Sequence, residues 1–105
     1  MTDLVGWTDA VGPVLQATPL GRAVVMAIES SNDDVMIQDE GAYLRVMAHG
    51  SCRVSRLEVE AEFGQPIRFP GDLEVIMSSF AGLVSMDESG AVWWRACDPC
   101  PVTPG

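Results

Sequence analysis

Cys97-Asp98-Pro99-Cys100 is the one spacing in this chain that advertises chemistry, since a C-x-x-C pair can act as a redox dithiol or as half of a zinc site. Zinc asks for four nitrogen or sulfur ligands, and outside the pair the stock is Cys52 and the single histidine, His49. A thioredoxin-type dithiol belongs between a strand and the start of a helix, whereas this pair lies among Pro99, Pro101 and Pro104. The two thiols therefore read as incidental. A Ser–His–acid set would have to use His49, which precedes Gly50 in an expected turn with no nucleophile signature around it, so a solvated turn histidine is the better account. Glu58, Glu60 and Glu62 resemble a carboxylate cluster but fit a solvated, partly capping helix face. Di-iron carboxylate sites need Glu-x-x-His motifs on long facing helices, and phosphate loops need G-x-G-x-x-G or G-K-[ST]; neither occurs. No catalytic set, metal site or cofactor site is expected. The function should lie in what the chain docks on.

Composition narrows the partners. Fifteen acidic residues against six basic ones leave a net charge of −9, and every base is an arginine. Binding by counterion release needs clustered cations, and none are clustered, so nucleic acid and anionic membrane are both disfavoured. An acidic protein can be steered toward a basic patch on a larger partner, though charge alone is equally explained by solubility. Nearly half of the 105 residues are hydrophobic, enough for one globular core. No apolar run approaches the ~20 residues that cross a bilayer. Met1–Gly6 lacks the basic start and apolar stretch of an export signal, and an odd count of three cysteines argues against a secreted disulfide framework. A cytoplasmic location is expected.

The elements that position these residues follow from local pattern. A loose arm (1–9) precedes one domain (10–95) and a proline-rich tail (96–105). Val11-Gly12-Pro13-Val14-Leu15 is an apolar run interrupted by proline, which cannot donate to a ladder; a strand here should lie at a sheet edge or start at Val14. Thr18-Pro19 pairs a capping hydroxyl with proline at the first helical position. Leu20, Ala23, Val24, Ala27 and Ile28 then form one helical stripe, widened by Val25 and Met26, and the helix should stop near Ser30-Ser31-Asn32. Val35–Ile37 and Tyr43–Ala48 read as a hairpin about Asp39-Glu40-Gly41, and Cys52–Val54 as a further strand. Ser55-Arg56-Leu57-Glu58 is a capping box flanked by a Val54/Val59 staple, opening a helix that Gly64 and Pro66 end. Asp72–Phe80 fits either period: Leu73, Ile76, Met77 and Phe80 for a helix, Leu73, Val75 and Met77 for a strand. Gly82–Met86 and Ala91–Trp94 predict a hairpin about Asp87–Gly90. Trp93-Trp94 is either a contact surface or one ring facing in and the other out. The sum is an α+β domain of two βαββ-like halves, with about seven short strands and two or three helices.

Five short segments, in order, carry a family likeness from Val11 to Trp94. They are Gly12-Pro13-Val14, Asp39-Glu40-Gly41-Ala42-Tyr43-Leu44-Arg45, His49-Gly50, the helix ending at Gly64-Gln65-Pro66-Ile67-Arg68-Phe69, and Ser78-Ser79-Phe80-Ala81-Gly82. Together they resemble the effector (coupling, or regulatory) components of the soluble bacterial di-iron multicomponent monooxygenases, which act on methane, phenol, toluene and alkenes. The first segment is similar to the opening strand of the phenol and toluene members. The helix ending is similar to a leucine-glycine-arginine-proline-phenylalanine ending, with Phe63 in place of leucine. The last segment matches best.

The resemblance implies a cofactor-free regulator that performs no turnover. It would bind the di-iron hydroxylase above its buried metal centre and keep oxygen activation, substrate entry and electron delivery coupled, in a system with a ferredoxin and a reductase. In the methane-oxidising members, residues matching Ser78, Ser79 and Phe80 belong to the hydroxylase-facing surface. Ala81 and Gly82 would be the turn presenting them, with Ile76 and Met77 as further contacts; Tyr43 and Arg45, which share a strand face and are types enriched at interfaces, are added from the residues themselves. Phe80 has a second reading as a core residue, and Tyr43 with Arg45 a second reading as a structural cross-strand pair. Two features depart from the family: the arm is short beside that of the methane type, and the tail with Cys97 and Cys100 matches nothing in it. The other readings open at this stage are a thiol redox protein or metal carrier built on those cysteines, and a free-standing small-ligand module, which would need a sizeable apolar pocket.

Overall fold

The Thr18 hydroxyl accepts a hydrogen bond from the Gly21 N–H at 3.0 Å and Pro19 takes the first helical position, so helix α1 (Pro19–Ser31) begins where its capping pair lies. It is one of three helices and seven strands in the computed structural model, which describes residues 10–32 and 34–95. The expected arm, the expected tail and the C-x-x-C pair lie outside the described residues. The elements run β1 (Ala10–Gln16), α1, β2 (Val35–Asp39), β3 (Tyr43–His49), β4 (Ser51–Ser55), α2 (Arg56–Phe63), α3 (Gly71–Ile76), β5 (Met77–Ala81), β6 (Leu83–Met86) and β7 (Gly90–Trp94).

The α+β expectation holds, with one refinement. The chain order gives the two βαββ-like halves, but the sheets do not follow them. One antiparallel sheet has the order β2-β3-β1-β5 and the other β4-β7-β6, so β5 leaves its own half to pair with β1. The chain therefore passes from the larger sheet to the smaller at Gly50, after β3, returns through α2 and α3, and passes to the smaller again at Gly82, after β5.

Alternation decides which strand residues meet the helices. Leu15, Leu44, Val46 and Ala48 from the larger sheet and Cys52, Val54, Ala91 and Trp93 from the smaller are buried. Ala23, Val24, Ala27 and Ile28 of α1, Val59 of α2 and Leu73 of α3 close the same core. Helix α2 starts at Ser55, whose hydroxyl accepts the Glu58 N–H at 3.4 Å, and ends at Gly64. Glu58, which the capping box aims back at Ser55, is hydrogen-bonded by the Ser31 hydroxyl of α1, tying the two helices together. Asn32 ends α1 and extends its amide to β4: Nδ2 donates to the Arg53 carbonyl at 2.8 Å and Oδ1 accepts the Arg53 N–H at 3.2 Å. An otherwise bare strand edge is thereby satisfied.

Four local expectations are corrected. Pro13 lies within a central strand, not at an edge. The β1–β3 register lapses at Gly12 and Pro13, between Val11↔Ala48 and Val14↔Arg45, so the missing N–H costs no ladder bond there. Met26 is exposed and does not widen the buried stripe. Asp72–Phe80 is neither all helix nor all strand: it is helical to Ile76 and extended from Met77. His49 ends β3 opposite Ala10 instead of lying in a turn, with its Nε2 3.7 Å from Asp34 Oδ2.

Candidate functional site

The Ser78–Gly82 segment lies on β5, an edge of the larger sheet, and its geometry turns on one extra residue. Leu15 pairs with Met77 and Val14 with Ser79, which leaves Ser78 unmatched as a β-bulge. Its hydroxyl donates to the Val14 carbonyl at 3.2 Å, pinning the bulge. The extra residue changes the parity of the strand. Met77 stands opposite buried Leu15 and packs against the core, while Ser79 stands opposite Val14 on the outer face. In a regular strand those two residues would share a face.

Across that outer face the registers set one row: Ser79, Val14, Arg45 and Gln38. Two residues expected to make contacts, Ser79 and Arg45, therefore flank Val14, which the sequence did not single out for this face. Beside the row is a hollow of about 200 Å³ lined by Gly12, Val14, Arg45, Met47, Ser79 and Phe80, among others. Its floor is the stretch where the β1–β3 register lapses. Gly12 also sits so close to β3 that a Cβ there would stand 2.5 Å from the Val46 carbonyl oxygen. The cue in the sequence was Gly12-Pro13 itself, read as an edge signal when it marks a gap inside the sheet.

The remaining candidates separate by burial. Phe80 lies opposite Pro13 and is 45% exposed, so of its two readings the buried one is set aside. Tyr43 is exposed opposite Gln16, one row from the hollow and on the Arg45 face. Arg45, Ser78, Ser79, Ala81 and Gly82 are all exposed. Ile76 is 6% exposed and belongs to the core, where it ends α3, so its side chain presents nothing to a partner. Arg45 makes no ion pair among the described residues.

The groups that could have done chemistry hold structural posts. Glu60 accepts the Ile67 N–H at 3.0 Å and the Arg56 guanidinium at 2.8 Å, bonds that hold its carboxyl below the usual range, the Ile67 N–H first among them. It fastens the chain after α2 to that helix instead of serving a cluster with Glu58 and Glu62. Burial pushes the Cys52 thiol up to about 12, so it supplies no thiolate. Among the described residues, no group of three or more His, Cys, Asp or Glu side chains is placed to hold a metal ion. No helix among them is long and apolar enough to cross a membrane.

The model of the MmoB/DmpM family matches residues 9–94. The chain belongs to the MmoB/DmpM family. Within it, the chain is 33% identical over 88 residues to the effector subunit of the alkene monooxygenase system of Xanthobacter autotrophicus, covering 82% of this chain and 86% of that relative. The MmoB/DmpM fold is also seen in chains from two structures of a phenol hydroxylase–regulatory protein complex. One superposes with a TM-score of 0.71 at 21% identity, covering 81% of this chain and 95% of that one. The other gives a TM-score of 0.68 at 22% identity, covering 81% and 99%. The part of the MmoB/DmpM chain that is matched takes in every strand and helix described above.

Proposed function

We propose that this chain is the non-catalytic effector component of a multicomponent monooxygenase, binding the di-iron hydroxylase of its system and tuning oxygen activation, substrate access and coupling to electron delivery from a ferredoxin and reductase. The observation that carries this reading is its kinship, over most of both chains, with an alkene monooxygenase effector subunit. The docking surface is the outer face at β5: Ser79, Arg45 and Tyr43 about the Val14 hollow, with Phe80, Ala81 and Gly82 along the free edge. Ser78 acts by holding the bulge that turns Ser79 outward. Met77 and Ile76 support this surface from the core side.

Binding at this face influences the hydroxylase only if one of its conformations is bound more tightly than another. The coupling is reciprocal, so reduction or substrate occupancy of the hydroxylase changes effector affinity by the same factor. A surface fixed by a pinned bulge and a crowded glycine corner suits such a role, because a rigid template discriminates between two partner shapes better than one that adapts. The test is reconstitution with the hydroxylase, ferredoxin and reductase of the same system. Adding the chain should raise the hydroxylation rate and the fraction of reductant converted to product. An unchanged rate and unchanged coupling would refute the reading. Replacing Ser79 by arginine should cut the stimulation severalfold while the circular dichroism spectrum stays the same.

A further inference from the structure

We propose that the hydroxylase contact continues past Gly82 onto the outer face of the three-stranded sheet, where Leu83, Val92 and Trp94 form an apolar patch edged by Arg53. This rests on the effector reading above and extends it to a second surface. The registers place these side chains in two adjoining rows, Ser51–Trp94–Leu83 and Arg53–Val92–Ser85. The alternate residues, among them Cys52 and Ala91, are the buried ones, so Trp93 is 0% exposed while its neighbour Trp94 is 37% exposed. A one-sided antiparallel sheet ordinarily shows polar residues to water. Three large apolar side chains together on the solvent face of so small a sheet mark a contact surface.

Continuity identifies the occupant. Gly82 is the single residue between β5 and β6, and Phe80 before it and Leu83 after it are both exposed apolar side chains. A Cβ on Gly82 would stand 2.4 Å from the Trp94 carbonyl oxygen and 2.8 Å from Val11 Cγ1, so this corner is packed down on the end of β7. The β5 face and the Trp94 patch thus meet at one tightly packed corner, and a large partner seated on the first reaches the second. Charge points the same way. In a chain of net charge −9, an arginine, Arg53, stands beside Val92 at the edge of this patch. It is exposed and makes no ion pair among the described residues. The complementary surface is an apolar hollow with carboxylates at its rim, taking Trp94 as the anchor. A second copy of this chain fits less well, since two strongly acidic molecules repel.

Hydroxyl-radical footprinting of the unmodified chain, free and bound to the hydroxylase of its own system, tests this without any variant. Oxidation of Leu83 and Trp94 should fall severalfold on binding, together with that of Phe80. Arg53→Glu, a change on a solvated side chain, should raise Kd about tenfold with no change in thermal midpoint. Protection of Phe80 with undiminished oxidation of Leu83 and Trp94 overturns this extension and leaves the effector reading standing. Failure of the unmodified chain to bind the hydroxylase overturns both.

Discussion

The chain passes from the larger sheet to the smaller twice, and the two corners are built differently. Gly50 and Gly82 both hold positive φ, 78° and 93°. Around Gly50 an added Cβ would meet nothing within 4 Å, whereas at Gly82 it would run into the Trp94 carbonyl oxygen and Val11. The first corner needs glycine for its backbone angle alone; the second needs it for space as well. Both close on the end of β7: the Arg95 N–H donates to the Gly50 carbonyl at 3.0 Å, and Leu83, just past Gly82, pairs with Trp94. The open corner follows β3, an interior strand of its sheet, while the crowded one follows β5, the edge strand assigned to docking. The difference teaches that packing at a turn can be concentrated where a surface must keep its shape.

Substitutions at the two corners put that contrast under strain. Gly82→Ala should be the most damaging, because a left-handed residue bearing a Cβ costs ~1–2 kcal/mol and overpacking adds ~1–3 kcal/mol. Urea unfolding would show the loss, and a variant as stable as the parent would dissolve the contrast. Adding Val11→Ala to Gly82→Ala should recover little, since the nearer obstacle is backbone; full recovery would mean that Val11 alone is the obstacle. Asn32→Ala comes next, at about 2 kcal/mol, because the amide that bridges α1 to the Arg53 backbone disappears and the edge of β4, the strand beyond the open corner, loses its partner. Gly50→Ala should cost about 1 kcal/mol, the conformational term alone. A Gly50→Ala loss as large as that of Gly82→Ala would show that crowding contributes nothing.

Acid provides the mildest probe. The Asp87 carboxylate closes the hairpin beyond the crowded corner, accepting from the Ser89 hydroxyl at 2.7 Å and from the Ser89 and Gly90 N–H groups at 2.8 and 3.1 Å. These bonds, the Ser89 hydroxyl first, hold its carboxyl below the ordinary range, as the Ile67 N–H does for Glu60. A carboxyl lowered in the folded state contributes stability that is complete above its unfolded range and is lost as pH falls through the folded value. Unfolding midpoints should therefore decline on the acid side of the normal carboxylate range. Asp87→Asn and Glu60→Gln should each flatten that decline, while Glu62→Gln, a change on an exposed residue of the same helix as Glu60, should leave it unchanged.

Most of the helical framework was legible in the residues, because its signals act within one turn. Thr18-Pro19 opens α1, Ser55 and Gly64 bracket α2, and Asp87-Glu88-Ser89-Gly90 turns the last hairpin as expected. The boundary inside Asp72–Phe80 was not legible, since Leu73 and Met77 satisfy both periods; pairing with β1 makes the chain extended from Met77. The candidate surface was half legible. Ser79 and Phe80 were proposed from likeness and Arg45 from its strand face and residue type, but Val14 and the hollow beside it depend on a register that no local pattern records. Ile76 shows the reverse case, adjacent to the segment yet drawn into the core as the last residue of α3. Met26 fails for a related reason: a helix of this length has more apolar residues than its buried face can hold.

By itself the sequence determined where α1 and α2 start and stop, where the hairpins turn, that no catalytic or nucleotide-binding signature is present, and to which family the chain is kin. Only the tertiary structure decided which strands share a sheet, which side of β5 faces out, and that Gly82 is crowded where Gly50 is free. Caps and turns are satisfied by partners three or four residues away, so they are written locally. The bulge that turns Ser79 outward is held by a hydrogen bond between Ser78 and Val14, 64 residues apart, and a contact of that reach exists only once the whole core has closed.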